Sequence, residues 1–189
     1  MKPSRVAAIV FGLANLVCPI LAPASFSQTT PSPCTDSMLP GSVNELLKAR
    51  FPKWRPKRLL DMDAGDQQLW LKGPNGKACP GIAIGHFENA DELSYAVLLV
   101  PQSNPGGGHK IVVFGKTKDV YSVRLLDQAE GQTYSGLVIS RTGPGKYDDW
   151  ENTKSIQIEL DGLHVEWMEQ GAQLYYWRAG RYRKLQVSD

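Results

Sequence analysis

Residues 155–168 have the sequence SIQIELDGLHVEWM, in which apolar and polar side chains alternate along two short runs. The polar positions are Gln157, Glu159, His164 and Glu166, and the apolar positions are Ile156, Ile158, Leu160, Val165 and Trp167. Such alternation is typical of antiparallel strands that have one buried and one solvated face. Asp161-Gly162 stands between the runs and predicts a two-residue hairpin turn, because glycine adopts a positive φ without strain.

The segments on either side of this stretch have the same character. Short runs rich in β-branched and aromatic residues, bounded by turn-forming residues, predict strands at 81–87, 94–100, 110–115, 121–126, 136–141, 155–160, 163–168, 173–177 and 182–187. Ala179-Gly180 predicts a second tight turn, between the last two of these strands.

Helical patterns occur only before the strands. A capping box formed by Ser42 and Glu45 predicts a helix that Pro52 ends. A second, short helix is predicted around 66–72, with its Leu and Trp side chains facing inward. We therefore predict a single α+β domain over residues 41–189. Its N-terminal helix packs on a twisted antiparallel β-sheet, a meander of about seven to nine strands.

Residues 1–24 have the features of a secretory signal peptide. Lys2 and Arg5 form a basic head, residues 6–21 are apolar, and Ala22-Pro23-Ala24 has small residues at the spacing that signal peptidase recognises. We therefore expect a secreted or periplasmic protein with no stable membrane insertion after cleavage. An uncleaved anchor and a lipid on Cys18 are the alternatives.

Removal of this segment changes the charge and the cysteine count. The full chain has 21 basic and 19 acidic residues, and loss of Lys2 and Arg5 leaves 19 of each, so nucleic acid is not an expected partner. Loss of Cys18 leaves Cys34 and Cys79, which predict one disulfide in an oxidising compartment; a metal site or a reactive thiol are the alternatives. The disulfide would tie a flexible lead-in, predicted at residues 25–40, to the segment before the first central strand.

Residues 85–97, with the sequence GHFENADELSYAV, resemble the calcium-loop hairpin of FG-GAP-type repeats. The resemblance implies a hairpin, since Gly85, Phe87 and the apolar strand match the family pattern. The ligands depart from it: among the positions of the family's acids, only Glu88 keeps a carboxylate. Calcium needs about six oxygen ligands, several of them charged. No metal site is therefore predicted, and Glu88, Asp91 and Glu92 would bind a cation weakly at most.

A second resemblance extends over most of the predicted domain. Trp54 near the first helix, Cys79-Pro80-Gly81 at a strand start and an aromatic hairpin over 175–189 resemble features of small exported bacterial proteins of unknown function. The resemblance implies a fold and no activity.

Two basic clusters contain aromatic residues and are the candidate contact surface. The first contributes Arg50, Lys53, Trp54 and Arg55, and the second Arg178, Arg181, Tyr182 and Arg183. Export favours an extracytoplasmic protein or an anionic envelope polymer as the partner. The alternative interpretation is a solvated helix end and an exposed strand face. The partner interpretation gains if the two clusters share one face.

Catalytic patterns in the sequence are weak. There is no Gly-x-Ser-x-Gly motif, and His86, His109 and His164 lack metal-ligand spacing. No catalytic residue and no cofactor is predicted. The leading hypothesis is an exported, non-enzymatic binding or inhibitor-type module. An envelope hydrolase with a polar site assembled by the fold, or a structural envelope component, are the alternatives.

Overall fold

The elements of the fold are given by a computed structural model that describes residues 34–131 and 134–189, which belong to one compact unit. The signal peptide predicted at 1–24 lies outside the described residues. The helices are α1 (Gly41–Arg50) and α2 (Ala64–Lys72), and 3₁₀ turns cover Asp36–Met38 and Leu59–Asp61. The strands are β1 (Trp54–Pro56), β2 (Ile82–Gly85), β3 (Ser94–Pro101), β4 (Gly108–Thr117), β5 (Val120–Glu130), β6 (Leu137–Thr142), β7 (Gly145–Asp148), β8 (Ser155–Ile158), β9 (Gly162–Trp167), β10 (Gly171–Arg178) and β11 (Arg181–Ser188).

The strands form three antiparallel sheets. A five-stranded sheet has the order β1-β3-β4-β5, with β2 pairing the same edge of β3 as β1 does. A four-stranded sheet has the order β11-β10-β9-β6, and β7 and β8 pair with each other. The prediction of mostly antiparallel β-structure with two short helices is confirmed. The predicted single meander of seven to nine strands differs from these eleven strands of the described residues, which are divided among three sheets.

Strands β3 and β4 of the five-stranded sheet are buried on both faces. Ala96, Leu98, Ile111 and Val113 belong to a cluster with residues of the four-stranded sheet, including Leu137, Ile139, Leu163 and Val165. The alternate residues Val97, Leu99, Val112 and Phe114 belong to a second cluster with Val43 and Leu47 of α1. Burial on both faces explains why β3 and β4 are continuous apolar runs rather than alternating ones.

The outer face of the four-stranded sheet is covered by two different elements. Trp70 of α2 packs with Val138 and Met168. Ile156 and Ile158 of β8 form another cluster with residues of β10 and β11, namely Leu174, Tyr176 and Leu185. The molecule is therefore layered, and the two sheets enclose its central core.

The hairpin predicted at Asp161-Gly162 is wrong. Strand β8 pairs with β7, whereas β9 pairs with β6 and β10. Asp161 is only 5% exposed; its carboxylate accepts a 2.8 Å hydrogen bond from His86 N and lies 3.2 Å from Arg141 Nη1. The alternating pattern was correct for each strand, but β8 covers the face of the neighbouring sheet instead of extending it. The other predicted turn is confirmed, since Arg178 pairs with Arg181.

Both predicted helices form, with differences in detail. Helix α1 begins at Gly41, one residue before the predicted cap Ser42, and has no side-chain cap; Asn44 Nδ2 instead donates to Leu39 O at 3.0 Å. In α2, Trp70 is buried as predicted, but Leu69 is 41% exposed. The end of the predicted flexible lead-in is structured, because the 3₁₀ turn over Asp36–Met38 leads into a buried Leu39.

Candidate binding groove

A groove of about 620 Å³ lies between the outer strands of the two sheets. We call it the β5–β11 groove; residues 123–127 of β5 form one wall, and residues 180–184, with Tyr175 and Trp177, form the other. Strand β5 is the last strand of its sheet and β11 the last of the other. The groove therefore opens where the two-sheet core would otherwise be closed by a further strand.

An ordered cation–aromatic cluster spans this groove. The guanidinium carbon of Arg124 lies 4.8 Å from the Trp177 ring centroid, and Arg124 Nε lies 3.0 Å from Glu88 Oε1. Trp177 in turn packs edge-to-face on Tyr182, with ring centroids 5.0 Å apart. Because Arg124 is held from both sides, its charge has a fixed place in the wall of the groove.

Tyr182 is a wall residue rather than a surface contact. Its ring packs against the central core, and its hydroxyl is buried without a hydrogen bond of good geometry. Burial raises the pKa of this hydroxyl, and the nearby Glu88 carboxylate raises it further. Tyr182 therefore stays neutral and supports the position of Trp177.

The remaining charges of the groove are mostly positive and unpaired. Arg181, Arg183 and Lys184 are exposed, and none of them forms an ion pair within the part of the chain that the structure describes. Asp127 is the one acid among the lining residues, and its Oδ2 lies 3.5 Å from His109 Nε2. Exposed cations therefore outnumber the single carboxylate, that of Asp127, among the residues at this groove.

The His109–Asp127 pair is not placed for catalysis in the groove. His109 is 6% exposed and is not among the lining residues. Burial lowers the pKa of His109, while Asp127 opposes that shift. The lowered pKa favours the neutral imidazole, and its burial keeps it out of reach of a ligand in the β5–β11 groove.

The first basic cluster lies on the opposite side of the five-stranded sheet. Trp54 packs against the cluster that contains α1, with Lys110 Nζ 4.8 Å above its ring, whereas Tyr182 packs against the central core. Arg55 forms two 2.6 Å hydrogen bonds with Asp61, so its guanidinium is occupied. Within this cluster, Arg50 and Lys53 are exposed, whereas Trp54 and Arg55 are partly buried. The two basic clusters thus form two separate surfaces.

Lys57 follows the first basic cluster by two residues in the sequence, but it is buried and belongs to a polar cluster that sequence reasoning missed. Lys57 is 2% exposed, and its Nζ donates to the backbone oxygens of Leu137, at 2.7 Å, and of Ser135. Burial lowers the pKa of Lys57 to about 8, opposed by Asp61, Asp66 and Asp63. Nothing in the sequence around Lys57 distinguishes it from its exposed basic neighbours.

The geometry of this cluster is not that of a serine–lysine dyad. Ser135 Oγ lies 2.7 Å from Asp63 Oδ2 and 2.5 Å from Asp66 Oδ2, while Lys57 bonds the backbone oxygen of Ser135. The lysine amine therefore does not take the serine proton. The cluster joins the start of α2 to the segment before β6.

Two of the three acids of the calcium-loop resemblance are used in ion pairs. Glu88 binds Arg124, and Glu92 Oε2 lies 3.2 Å from Lys116 Nζ. Asp91 is exposed, and its backbone N donates to Asn89 Oδ1 at 3.1 Å. The hairpin itself forms, since β2 pairs with β3 up to Gly85 and Ser94. Over the described residues, no group of three or more His, Cys, Asp and Glu side chains could hold a metal ion.

Comparison of the chain with protein-family models, with curated proteins and with solved structures finds no match. Within residues 34–131 and 134–189, no helix is long and apolar enough to cross a membrane. The groove residues that sequence reasoning missed are Arg124, Glu88 as its partner, and Trp177. Arg124 lies in a recognisable strand, but nothing in the sequence indicates that this strand faces the last hairpin.

Proposed function

We propose that this protein is an exported, non-enzymatic binding module of the periplasm or extracellular space that holds an acidic partner in the β5–β11 groove. The observation that carries the proposal is the set of exposed cations without ion pairs, Arg181, Arg183 and Lys184, beside the ordered pair of Arg124 and Trp177. Free cations at a concave surface attract anions, and a fixed aromatic–cation wall adds directional contacts.

The location outside the cytoplasm is part of this proposal. It is supported by the signal-peptide features of residues 1–24 and by the Cys34–Cys79 disulfide, since disulfides persist mainly in oxidising compartments. An extracytoplasmic protein with an acidic surface and an anionic envelope polymer are the two partners that this compartment offers.

The test is a charge reversal in the groove with a matched reversal elsewhere. The groove variant carries Arg181→Glu, Arg183→Glu and Lys184→Glu. The control carries Arg50→Glu and Lys53→Glu of the first basic cluster and Lys48→Glu of α1, all at exposed positions. Binding to immobilised alginate and poly-glutamate, with neutral dextran as the blank, is measured by biolayer interferometry. We expect the groove variant to bind at least about tenfold more weakly, the control to change little, and added salt to weaken binding to the wild-type protein.

Two results would contradict the proposal. Equal losses in the two variants would mean that overall charge, rather than the groove, attracts the anions. No binding of the wild-type protein to either polyanion above the dextran blank would mean that the groove is not an anion site.

A further inference from the structure

The walls of the β5–β11 groove are two strand edges to which no further strand of the described residues pairs. Within residues 34–131 and 134–189, β5 pairs with β4 alone, and β11 pairs with β10 alone. Residues 123–127 and 180–184 line the groove consecutively. Side chains alternate between the two faces of a strand, so a wall made of consecutive residues is made largely of backbone.

The hairpin turns determine which backbone groups point into the groove. Two-residue turns join Thr117 to Val120 and Arg178 to Arg181, so these are the hydrogen-bonded closing pairs. Hydrogen-bonded and non-hydrogen-bonded pairs then alternate along each ladder. It follows that Tyr182 and Lys184 direct their N–H and C=O groups away from β10.

The same alternation applies to the other wall. Val123 and Leu125 direct their N–H and C=O groups away from β4. On β11, Gln186 is the next residue after Lys184 whose backbone groups should point away from β10. Its carbonyl oxygen accepts a 3.1 Å hydrogen bond from Trp150 N, which supports this assignment of outward-pointing residues. No such bond reaches Val123, Leu125, Tyr182 or Lys184 from another described residue.

We infer that the β5–β11 groove takes an extended acidic peptide segment as an added strand, which pairs with the free edges of β5 and β11. The inference rests on the proposed function and names its partner. Main-chain pairing supplies affinity in this mode of recognition, and side chains at alternate positions supply selectivity. The cations at the groove, Arg124, Arg181, Arg183 and Lys184, against the single acid Asp127, select acidic side chains.

Charge complementarity also favours an acidic peptide over a second copy of the chain as the occupant of the groove. Basic residues on an exposed edge oppose pairing with an identical edge, because the same charges would meet. An acidic strand carries the opposite charge at these positions, so no like-charge repulsion opposes its pairing.

The experiment separates main-chain pairing from charge. The probe is an acetylated and amidated peptide in which valine and glutamate alternate, and its control is the same peptide with alternate backbone nitrogens methylated. Both are titrated calorimetrically into the full chain and into the variants Leu125→Pro and Leu125→Ala. Leu125 is 47% exposed, and its N–H points into the groove, so proline removes that donor; alanine keeps the donor and accounts for the loss of side-chain packing.

We expect the probe to bind and the methylated peptide to bind at least about tenfold more weakly. We also expect the probe to bind Leu125→Pro more weakly than it binds Leu125→Ala, by a similar factor. Circular dichroism of Leu125→Pro establishes that the variant is folded; if it is not, the methylated peptide and the wild-type protein still decide the question. Equal binding of the methylated peptide, or of a valine–lysine peptide, would overturn the inference.

Alginate and poly-glutamate separate this inference from the proposed function. If both polyanions bind and respond to the groove charge reversal but the peptide shows no dependence on its N–H groups, the added strand is wrong and the anion groove stands. If no anionic probe binds, both are wrong. Concentration-dependent dimers in place of peptide binding would identify a second copy as the occupant and would also overturn the inference.

Discussion

Lys57 has an ammonium group in the core, bonded to two backbone oxygens of the segment that leads into β6. Its folded-state pKa of about 8 lies below its ordinary value of 10.5. Between these two values the unfolded chain holds more protons than the folded chain, so this group makes the free energy of unfolding rise with pH. Below about pH 8 both states are protonated, and the cost of burying the charge is present in full.

We predict that the free energy of unfolding of the wild-type protein, minus that of Lys57→Met, increases from about pH 8 to about pH 10.5. Subtracting the variant removes the contribution of the tyrosines and other groups that titrate in the same range. Denaturant unfolding across this range measures the difference, with Lys110→Met, at a partly exposed lysine, as the matched control. A difference that stays flat or falls with pH would show that Lys57 is not buried as a charged group.

Single residues were the least predictable features of the candidate site. Arg181 and Arg183 are exposed cations, whereas Tyr182, which the sequence places between them, has a buried hydroxyl. Arg55 and Lys57 lie in the same basic run as Arg50, yet one is bound to Asp61 and the other is in the core. Burial of a charge depends on partners far away in sequence, and local composition does not contain that information.

Replacing Asp161 tests whether β8 and β9 form the hairpin that the sequence predicts. In a two-residue hairpin turn it would be exposed, and its replacement would cost little. In the structure it is buried and accepts the backbone N–H of His86 beside Arg141. We therefore predict that Asp161→Ala lowers the free energy of unfolding by about 2–3 kcal/mol, since it leaves a buried donor without a partner.

Asp161→Asn is the matched variant for this prediction. Its amide oxygen still accepts from His86, so we expect a smaller loss than with alanine, and what is lost reports mainly the attraction to Arg141. Thermal and urea unfolding of the two variants measure both effects. A loss within about 0.5 kcal/mol for Asp161→Ala, typical of an exposed site, would support the hairpin instead.

Strands were predictable where their own sequence determines them. The apolar runs of β3 and β4 and the tight turn at Ala179-Gly180 are local signals, and each was located correctly. Strand β1 was missed because it contains Pro56 and only three residues, and β7 because its Gly-Lys-Tyr-Asp sequence lacks an apolar run. Pairing partners were not predictable, since alternation shows which face of a strand is buried and not what buries it.

The layers of the molecule arise because the two larger sheets pack on each other and because other elements pack on their outer faces. The β5–β11 groove is the place where the two sheets do not meet, and neither β5 nor the last hairpin has a sequence signal for that gap.

The sequence does predict one long-range contact, because only two cysteines remain after the expected cleavage. Cys34 and Cys79 are joined in the structure across 45 residues, and the loop between them contains both helices.

We predict that Cys34→Ala with Cys79→Ala lowers the free energy of unfolding by about 3–4 kcal/mol, because the open chain gains entropy when unfolded. Cys79 is fully buried beside Leu39 and Val43, so residues 34–40 should lose amide protection first while the central core keeps its own. Hydrogen exchange and denaturant unfolding measure the two effects, and reduction of the wild-type protein should reproduce both. Reductant should leave the double variant unchanged, which separates loss of the bond from any other effect of reduction. Equal stability of the oxidised and reduced wild-type protein would show that the segment before α1 is held by packing alone.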